Sequence, residues 1–205
     1  MKKINHFDIN TPSFWNNKYN SNQDAWDLKS TTPIFKNWSS KLNKNKPQTI
    51  CIPGCGKGYD ALYLASKGHN VYAIDFSSSA LSYLKRNNIY SNLTIIQSDF
   101  FNLSDEYFNY FDIIIEYTFF CAIDISKRSN YVNISKKILK SGGSFVGIIF
   151  PINYIHKDDG PPFKVDMDIF EHLFSQDFIL KKKEYNNLSI KSRKNNEIFY
   201  HYVKK

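Results

Sequence analysis

The stretch Thr49-Ile50-Cys51-Ile52-Pro53-Gly54-Cys55-Gly56-Lys57-Gly58-Tyr59-Asp60 decides the fold. It passes from a short apolar strand, 49–53, through three glycines spaced by two, into a helix, 59–66. Glycines at this spacing let the backbone turn sharply and admit a ligand where a Cβ would clash. About 20 residues further on, Asp75 ends a second strand, 70–76, where a carboxylate accepts hydrogen bonds from both ribose hydroxyls of a nucleotide. Asp99-Phe100 ends a third, 93–97, where a carboxylate can take an adenine amino proton and a ring can pack on the base. The pattern is Gly-x-Gly-x-Gly, unlike the Gly-x-Gly-x-x-Gly of phosphate-gripping turns, and no Ser or Thr follows Lys57. A sulfonium amino-acid nucleoside carries no phosphate and needs room for its methionine part. These signs together point to S-adenosyl-L-methionine as cofactor, with S-adenosyl-L-homocysteine as its product.

Outward from this turn the text alternates strand and helix. Ser77 caps a helix to about Asn87, and 111–117 is a near-continuous apolar run, as a strand buried on both faces requires. Residues 126–140 read as a helix stopped by Gly142-Gly143, followed by a strand over 144–150 and a helix over 165–174. Residues 178–183 and 198–203 close the chain as two strands joined by a polar, basic turn. The expectation is a doubly wound α/β domain with a mostly parallel seven-stranded sheet and an antiparallel edge strand. Before it, Thr11-Pro12 and Thr32-Pro33 each supply a helix start, for helices reaching Tyr19 and about Leu42. The 205 residues are read as one domain, with 1–45 a lid segment and 46–205 the Rossmann-like core.

Composition narrows the function. Hydrophobic residues at 42% and aromatics at 17% supply a packed core and exclude a disordered chain. No apolar run approaches the ~20 residues that cross a bilayer, and the N-terminus lacks an apolar stretch of signal-peptide type, so a cytoplasmic protein without membrane partners is expected. The formal charge of +8 is concentrated in residues 181–205, where eight cations face Glu184 and Glu197. Only Arg86, Arg128 and Arg193 are arginines, and base readout favours arginine over the solvated point charge of lysine. Nucleic acid is therefore not the expected partner; a small molecule is, bound by a monomer. Cys51, Cys55 and Cys121 form neither a disulfide framework nor a metal set, because Cys51 and Cys55 have no second pair.

The sequence resembles the thiopurine methyltransferase superfamily, and within it the halide and thiol (thiocyanate) methyltransferases. The likeness spans about residues 12–175 and rests on Phe14-Trp15 with Ala25-Trp26-Asp27, on Pro53 to Asp60, and on Asp99-Phe100-Phe101. It continues in Phe111-Asp112, in Tyr117-Thr118-Phe119-Phe120-Cys121-Ala122 and in Gly160-Pro161-Pro162-Phe163. It implies a class I S-adenosylmethionine-dependent enzyme that methylates small sulfur, selenium or halide nucleophiles. It further implies that Trp15, Tyr19 and Trp26 line the methionine side, with Gly54 under the cofactor and Gly56 beside it in the turn. Asp75 and Phe76 would take the ribose side, Asp99 and Phe100 the adenine, and Tyr117 the reactive methyl. Tyr117 stands where the thiopurine branch has an arginine, and Glu116 stands where aspartate is usual.

For the acceptor side the expected residues are Trp38, Phe119, Phe120, Tyr154, Pro161 and Phe163, one of Phe119 and Phe120 being core. This pocket is read as aromatic, without a fixed cation, and suited to a soft, weakly hydrated nucleophile. No catalytic acid or base is assigned; Glu116 is read as holding a strand end, and His156 as a solvated loop residue. Two alternatives stay open: a methyltransferase of a larger oxygen or nitrogen acceptor, and a non-catalytic S-adenosylmethionine-binding module.

Overall fold

Five strands run parallel: β1 (Thr49–Pro53), β2 (Asn70–Asp75), β3 (Leu93–Gln97), β4 (Phe111–Tyr117) and β5 (Leu139–Ile149). Two more, β6 (Phe178–Glu184) and β7 (Ile198–Lys204), complete a sheet of order β3-β2-β1-β4-β5-β7-β6 in this computed structural model. The structure describes residues 8–43, 45–153 and 160–205. From β1 the chain builds outward through β2 to β3, then returns to the other side of β1 with β4. That reversal is a topological switch point, beside which open α/β sheets bind ligands at the carboxyl ends of their strands. β7 is antiparallel to both β5 and β6, so the terminal hairpin forms this edge with the reversed strand one position in.

Alternation along the central strands divides the core into two layers. Ile113 and Ile115 of β4, with Val146 and Ile148 of β5, pack against α2 (Pro33–Ser39), α3 (Tyr59–Ser66) and α4 (Ser78–Asn87). Phe111, Ile114, Phe145, Tyr200 and Tyr202 face the other way, under α5 (Arg128–Ile138) and α6 (Met167–Ser175). The second layer is rich in aromatic rings: Phe174 lies 4.6 Å from Phe145, 4.7 Å from Phe170 and 4.9 Å from Tyr202, ring centre to ring centre. Helix starts follow the sequence signals. The Ser77 Oγ accepts from the Ala80 N–H to cap α4, Asp166 does the same for α6 from Ile169, and Pro12 opens α1 (Pro12–Asn20).

The expected boundaries shift at α2, which ends at Ser39 short of Leu42, at α6, which begins at Met167 instead of 165, and most of all at β5. The helix predicted over 126–140 ends at Ile138, and β5 begins at Leu139, five residues before the expected start. Leu139 pairs with Phe111, whereas Ser144 pairs with Ile113, so β5 carries an insertion relative to β4. Gly142 adopts φ +73° there. The two glycines make a bulge inside a strand instead of stopping a helix. Among the described residues, no helix is long and apolar enough to cross a membrane.

Phe174 is fully buried among aromatic partners. Phe174→Ala is expected to cost about 3–5 kcal/mol of unfolding free energy in urea titrations. A loss below about 1 kcal/mol would contradict this packing.

Candidate active site

The carboxyl ends of β1 to β5 open into one cleft of about 550 Å³, whose lining also includes α1 and the turn that follows it. That is a size suited to a nucleoside-sized ligand. Its floor is the glycine turn. Gly54 has φ +56°, and a Cβ there would lie 2.2 Å from the Phe119 ring; Gly56 also has φ +56°, and its Cβ would lie 2.8 Å from the Tyr19 hydroxyl. Both positions need the left-handed region and the missing side chain together.

Asp75 fixes this floor. Its Oδ2 accepts from the Gly56 N–H at 2.9 Å and its Oδ1 from the Ser77 N–H at 2.8 Å. One carboxylate thereby joins the β1 turn to the start of α4, and each oxygen keeps a lone pair for a ligand hydroxyl. Burial pushes its pKa up to about 6, against the pull of those backbone donors. Phe76 lines the cleft next to it. Asp99 lies at the end of the next strand; its Oδ1 accepts from the Phe101 N–H at 3.0 Å, and Phe100 beside it is buried against Phe119 and Tyr131.

The N-terminal segment closes one side with an aromatic group. Trp26 meets Trp15 and Tyr19 edge to face at 5.5 and 5.6 Å, and its indole N–H donates to the Tyr19 hydroxyl at 3.3 Å. The segment is tied down from below. Lys57 Nζ donates to Asp24 at 2.6 Å and to Asp27 at 2.7 Å, and Asn16 Oδ1 accepts from the Ser77 hydroxyl at 2.7 Å and the Ser79 N–H at 3.1 Å. Thr32 donates its N–H and hydroxyl to the two oxygens of Asp60, each at 2.8 Å.

At the end of β4 the chain turns through Thr118, which adopts φ +61°. Glu116, 1 % exposed, holds this turn: Oε1 accepts from the N–H groups of Phe119 and Phe120 at 3.0 and 2.8 Å, and Oε2 accepts from the Tyr131 hydroxyl at 2.6 Å. Its expected strand-end role is what the geometry shows. Burial pushes its pKa from the ordinary 4.5 up to about 7. Phe119 turns into the cleft, whereas Phe120 is 2 % exposed and packs on Phe170 in the core.

The opposite wall holds a residue the sequence reading missed. Arg193 is 5 % exposed and lines the cleft. Its guanidinium lies 4.7 Å over the Tyr117 ring and 4.9 Å over that of Phe150, and Nη2 donates to the Trp26 carbonyl at 2.8 Å. The Tyr117 hydroxyl donates to Glu197 at 2.9 Å, and Glu197 is 2 % exposed. The expectation of a cleft without a fixed cation therefore fails. In the sequence Arg193 lies within the basic tail, and its rarity as one of three arginines in a lysine-rich chain is the signal that sets it apart. Lys57 and Glu197 were likewise not singled out, and local spacing gave no sign of either.

Two further acceptor-side expectations, for Trp38 and Phe163, are corrected, and the choice left open between Phe119 and Phe120 is resolved. Trp38 packs against His201 near the opposite strand ends, beside Asp112 and Gly143, and is absent from this cleft. Phe120 belongs to the core because the Glu116 carboxylate turns the chain over between the two phenylalanines. Phe163 packs back against Gly160 while Pro161 and Pro162 face the cleft. Its carbonyl is held at 3.2 Å by Arg128, whose Nε also reaches the Phe120 carbonyl at 3.3 Å. Tyr154 and His156 lie outside the described residues.

A nucleoside-sized cleft at the switch point of this sheet is the arrangement of the class I methyltransferases. The solved Burkholderia thailandensis 1,6-didemethyltoxoflavin-N1-methyltransferase, with bound S-adenosylhomocysteine, superposes with a TM-score of 0.71 over 95% of this chain and 87% of that one, at 16% identity. The family described as Thiopurine S-methyltransferase (TPMT) matches residues 10–204, and the chain belongs to it. Among relatives, a probable thiol methyltransferase 2 of Arabidopsis thaliana is 29% identical over 168 residues, 79% of this chain and 71% of its own length. The thiocyanate methyltransferase 1 of Brassica oleracea is 30% identical over 192 residues, 89% and 81% of the two chains. The protein is accordingly an S-adenosylmethionine-dependent methyltransferase.

The raised pKa of Glu116 has a consequence for stability. A carboxyl that holds its proton more tightly in the native state stabilises fully below its unfolded pKa and loses that contribution as pH rises through about 7. Asp75 and Asp60, both pushed up to about 6 by burial, add to the same trend, while burial of His69 and His201 lowers their pKa and opposes it. The difference between wild type and Glu116→Gln isolates the one group. Between pH 5 and 8, urea denaturation should show the wild type losing on the order of 2–3 kcal/mol more than the variant. Parallel curves would exclude the buried carboxyl as a titrating group.

Proposed function

We propose that this enzyme moves the methyl group of S-adenosylmethionine to a small, soft nucleophile: hydrosulfide, a thiol, a selenol, thiocyanate or a halide such as iodide. The observation that carries the reading is the commitment of the cleft's carboxylates. Asp27 is held by Lys57, Asp60 by Thr32, Asp75 by Gly56 and Ser77, and Asp99 by Phe101, while the wall at the ends of β4 and β5 is Tyr117, Phe119 and Phe150. Such a wall suits an acceptor that arrives as a nucleophile already, because it asks for no general base. The names of the thiol and thiocyanate methyltransferase relatives agree with it.

In this reading the ribose hydroxyls hydrogen-bond to Asp75 beside Phe76, and the adenine lies between Asp99 and Phe100. The methionine part runs along Gly54 and Gly56 under Trp15, Tyr19 and Trp26, whose ring faces favour a sulfonium cation. The methyl points toward Tyr117, with Phe119 and Pro161 on the acceptor side. Transfer is an in-line displacement: the acceptor's lone pair forms the new bond to carbon as the sulfonium–carbon bond breaks, and that electron pair stays on sulfur as the thioether of S-adenosylhomocysteine. The rate comes from holding the reacting atoms about 3–3.5 Å apart, in line, in a site that excludes water. The N-terminal segment acts as the lid, with Lys57 and Asn16 as its anchors. The three free cysteines, Cys51 and Cys121 buried, support a cytoplasmic setting, and a cleft closed by the chain's own segments supports action as a monomer.

Purified protein with methyl-labelled cofactor should give volatile methyl products from thiols, hydrosulfide, thiocyanate and iodide, with chloride and carboxylates trailing. Turnover of a bulky amine alone would overturn the acceptor class and leave the cofactor standing. In calorimetry, Asp75→Asn should weaken S-adenosylhomocysteine by about 1.5–3 kcal/mol, the scale of hydrogen bonds to a charged group. Unchanged affinity would remove Asp75 from the ribose site.

A further inference from the structure

Trp38, expected in the methyl-transfer cleft, stands instead in a second cleft near the opposite strand ends. That cleft measures about 440 Å³, a size suited to a small molecule, and among the described residues it shares no lining residue with the first. Its walls come from the end of α2, the loop before β1, the start of β4, the glycine bulge of β5, and β7. Trp38 is half-buried, with the His201 ring edge to face against it at 6.0 Å. Trp15 and Trp26 donate their indole N–H groups to the Ile9 carbonyl and the Tyr19 hydroxyl, whereas that of Trp38 donates to none of the described residues.

The charge in this cleft is one-sided. Lys41, Lys46 and Lys140 line it against a single carboxylate, Asp112. Both oxygens of Asp112 are in use: Oδ1 accepts from Lys140 at 2.7 Å and Oδ2 from the Thr49 N–H at 2.8 Å. Burial works against ionisation, but these bonds and the charges of Lys140 and Lys46 outweigh it and hold the carboxyl below its ordinary pKa. Burial, aided by the charge of Lys181, lowers the pKa of His201, which therefore adds no charge at neutral pH. Lys41 and Lys46 have no carboxylate within ion-pair distance among the described residues. Two lysines thus stay uncompensated beside an indole.

We propose that this cleft is a second ligand site, for a phosphate monoester carried on a planar ring, of the size of a nucleoside monophosphate. The ring packs on Trp38, as bases do on aromatic side chains, and the phosphate is held by Lys41 and Lys46. A phosphate monoester carries close to two negative charges at neutral pH, which matches the two unpaired lysines. Asp112 does not repel it strongly, because Lys140 neutralises that carboxylate at close range. The site stands apart from methyl transfer and does not depend on the acceptor proposed above.

The test uses the full chain saturated with S-adenosylhomocysteine, so that the methyl-transfer cleft is filled, and AMP as the probe in calorimetry. AMP should bind tighter than about 1 mM, with adenosine and inorganic phosphate each at least about tenfold weaker. Lys41→Met combined with Lys46→Met should weaken AMP at least about tenfold. S-adenosylhomocysteine affinity should stay within about threefold of wild type in that double variant, which shows it to be folded. AMP should also change the tryptophan fluorescence of the wild type, and the change should vanish in Trp38→Phe, which keeps Trp15 and Trp26. Phenyl phosphate separates the sources of the phosphate: binding weaker than AMP assigns a nucleotide, equal binding assigns a simpler aryl phosphate, and both support the site. AMP binding weaker than about 1 mM, AMP binding unchanged in the double lysine variant, or adenosine or inorganic phosphate binding as tightly as AMP would overturn it.

Discussion

The two hydrogen bonds accepted by Asp75 are the constraint on which the site depends. They fasten the Gly56 N–H of one loop and the Ser77 N–H of the next to a single carboxylate, so two strand ends become one rigid floor. With Gly56 fixed, Tyr19 can approach where a side chain would stand, and Tyr19 in turn receives the Trp26 indole N–H. Lys57, in the same turn, reaches Asp24 and Asp27. Ser77, fastened by the same aspartate, meets Asn16. The packing of the N-terminal segment thus follows from a turn that the glycines permit and Asp75 holds.

The far wall is organised by buried charge. Glu116 fixes the β4 turn by accepting from two backbone amides and Tyr131, and among the described residues no cation pairs with it. Arg128 ties the Phe120 carbonyl to those of Phe163 and Lys164, which positions the proline cover over the cleft. Arg193 and Glu197 flank Tyr117 from the loop that precedes β7. Buried polar groups of this kind cost stability unless they are satisfied, and they fix geometry when they are. Two of the chain's three arginines are buried in this wall, so the lysine-rich exterior and the arginine-built interior are chemically distinct.

The floor of the site was legible in the sequence because its signals are local. A glycine turn after a strand, an aspartate at the next strand end and a serine cap are read within a few residues, and Pro53 to Asp60, Asp75 and Ser77 all lie where those signals put them. The acceptor wall was not legible, because it is assembled from distant segments. Arg193 contacts Trp26 across 167 residues, and no spacing rule connects the two. Phe119 and Phe120 are adjacent aromatics, and only the Glu116 hydrogen bonds decide which one turns inward to the core. Trp38 has the composition of a site residue but sits near the wrong strand ends. Gly142-Gly143 shows the limit of local punctuation: the same pair can stop a helix or form a bulge, and only the register against Phe111 and Ile113 tells them apart.

The central claim is that one cleft holds the nucleoside on Asp75 and presents its methyl to the wall made by Tyr117 and Arg193. A crystal structure of the complex with S-adenosylhomocysteine tests it most directly. The account predicts ribose hydroxyls about 2.6–3.2 Å from the Asp75 carboxylate, with the thioether sulfur turned toward the Tyr117 ring. A nucleoside bound elsewhere, or bound in this cleft with its sulfur turned away from that wall, would contradict it.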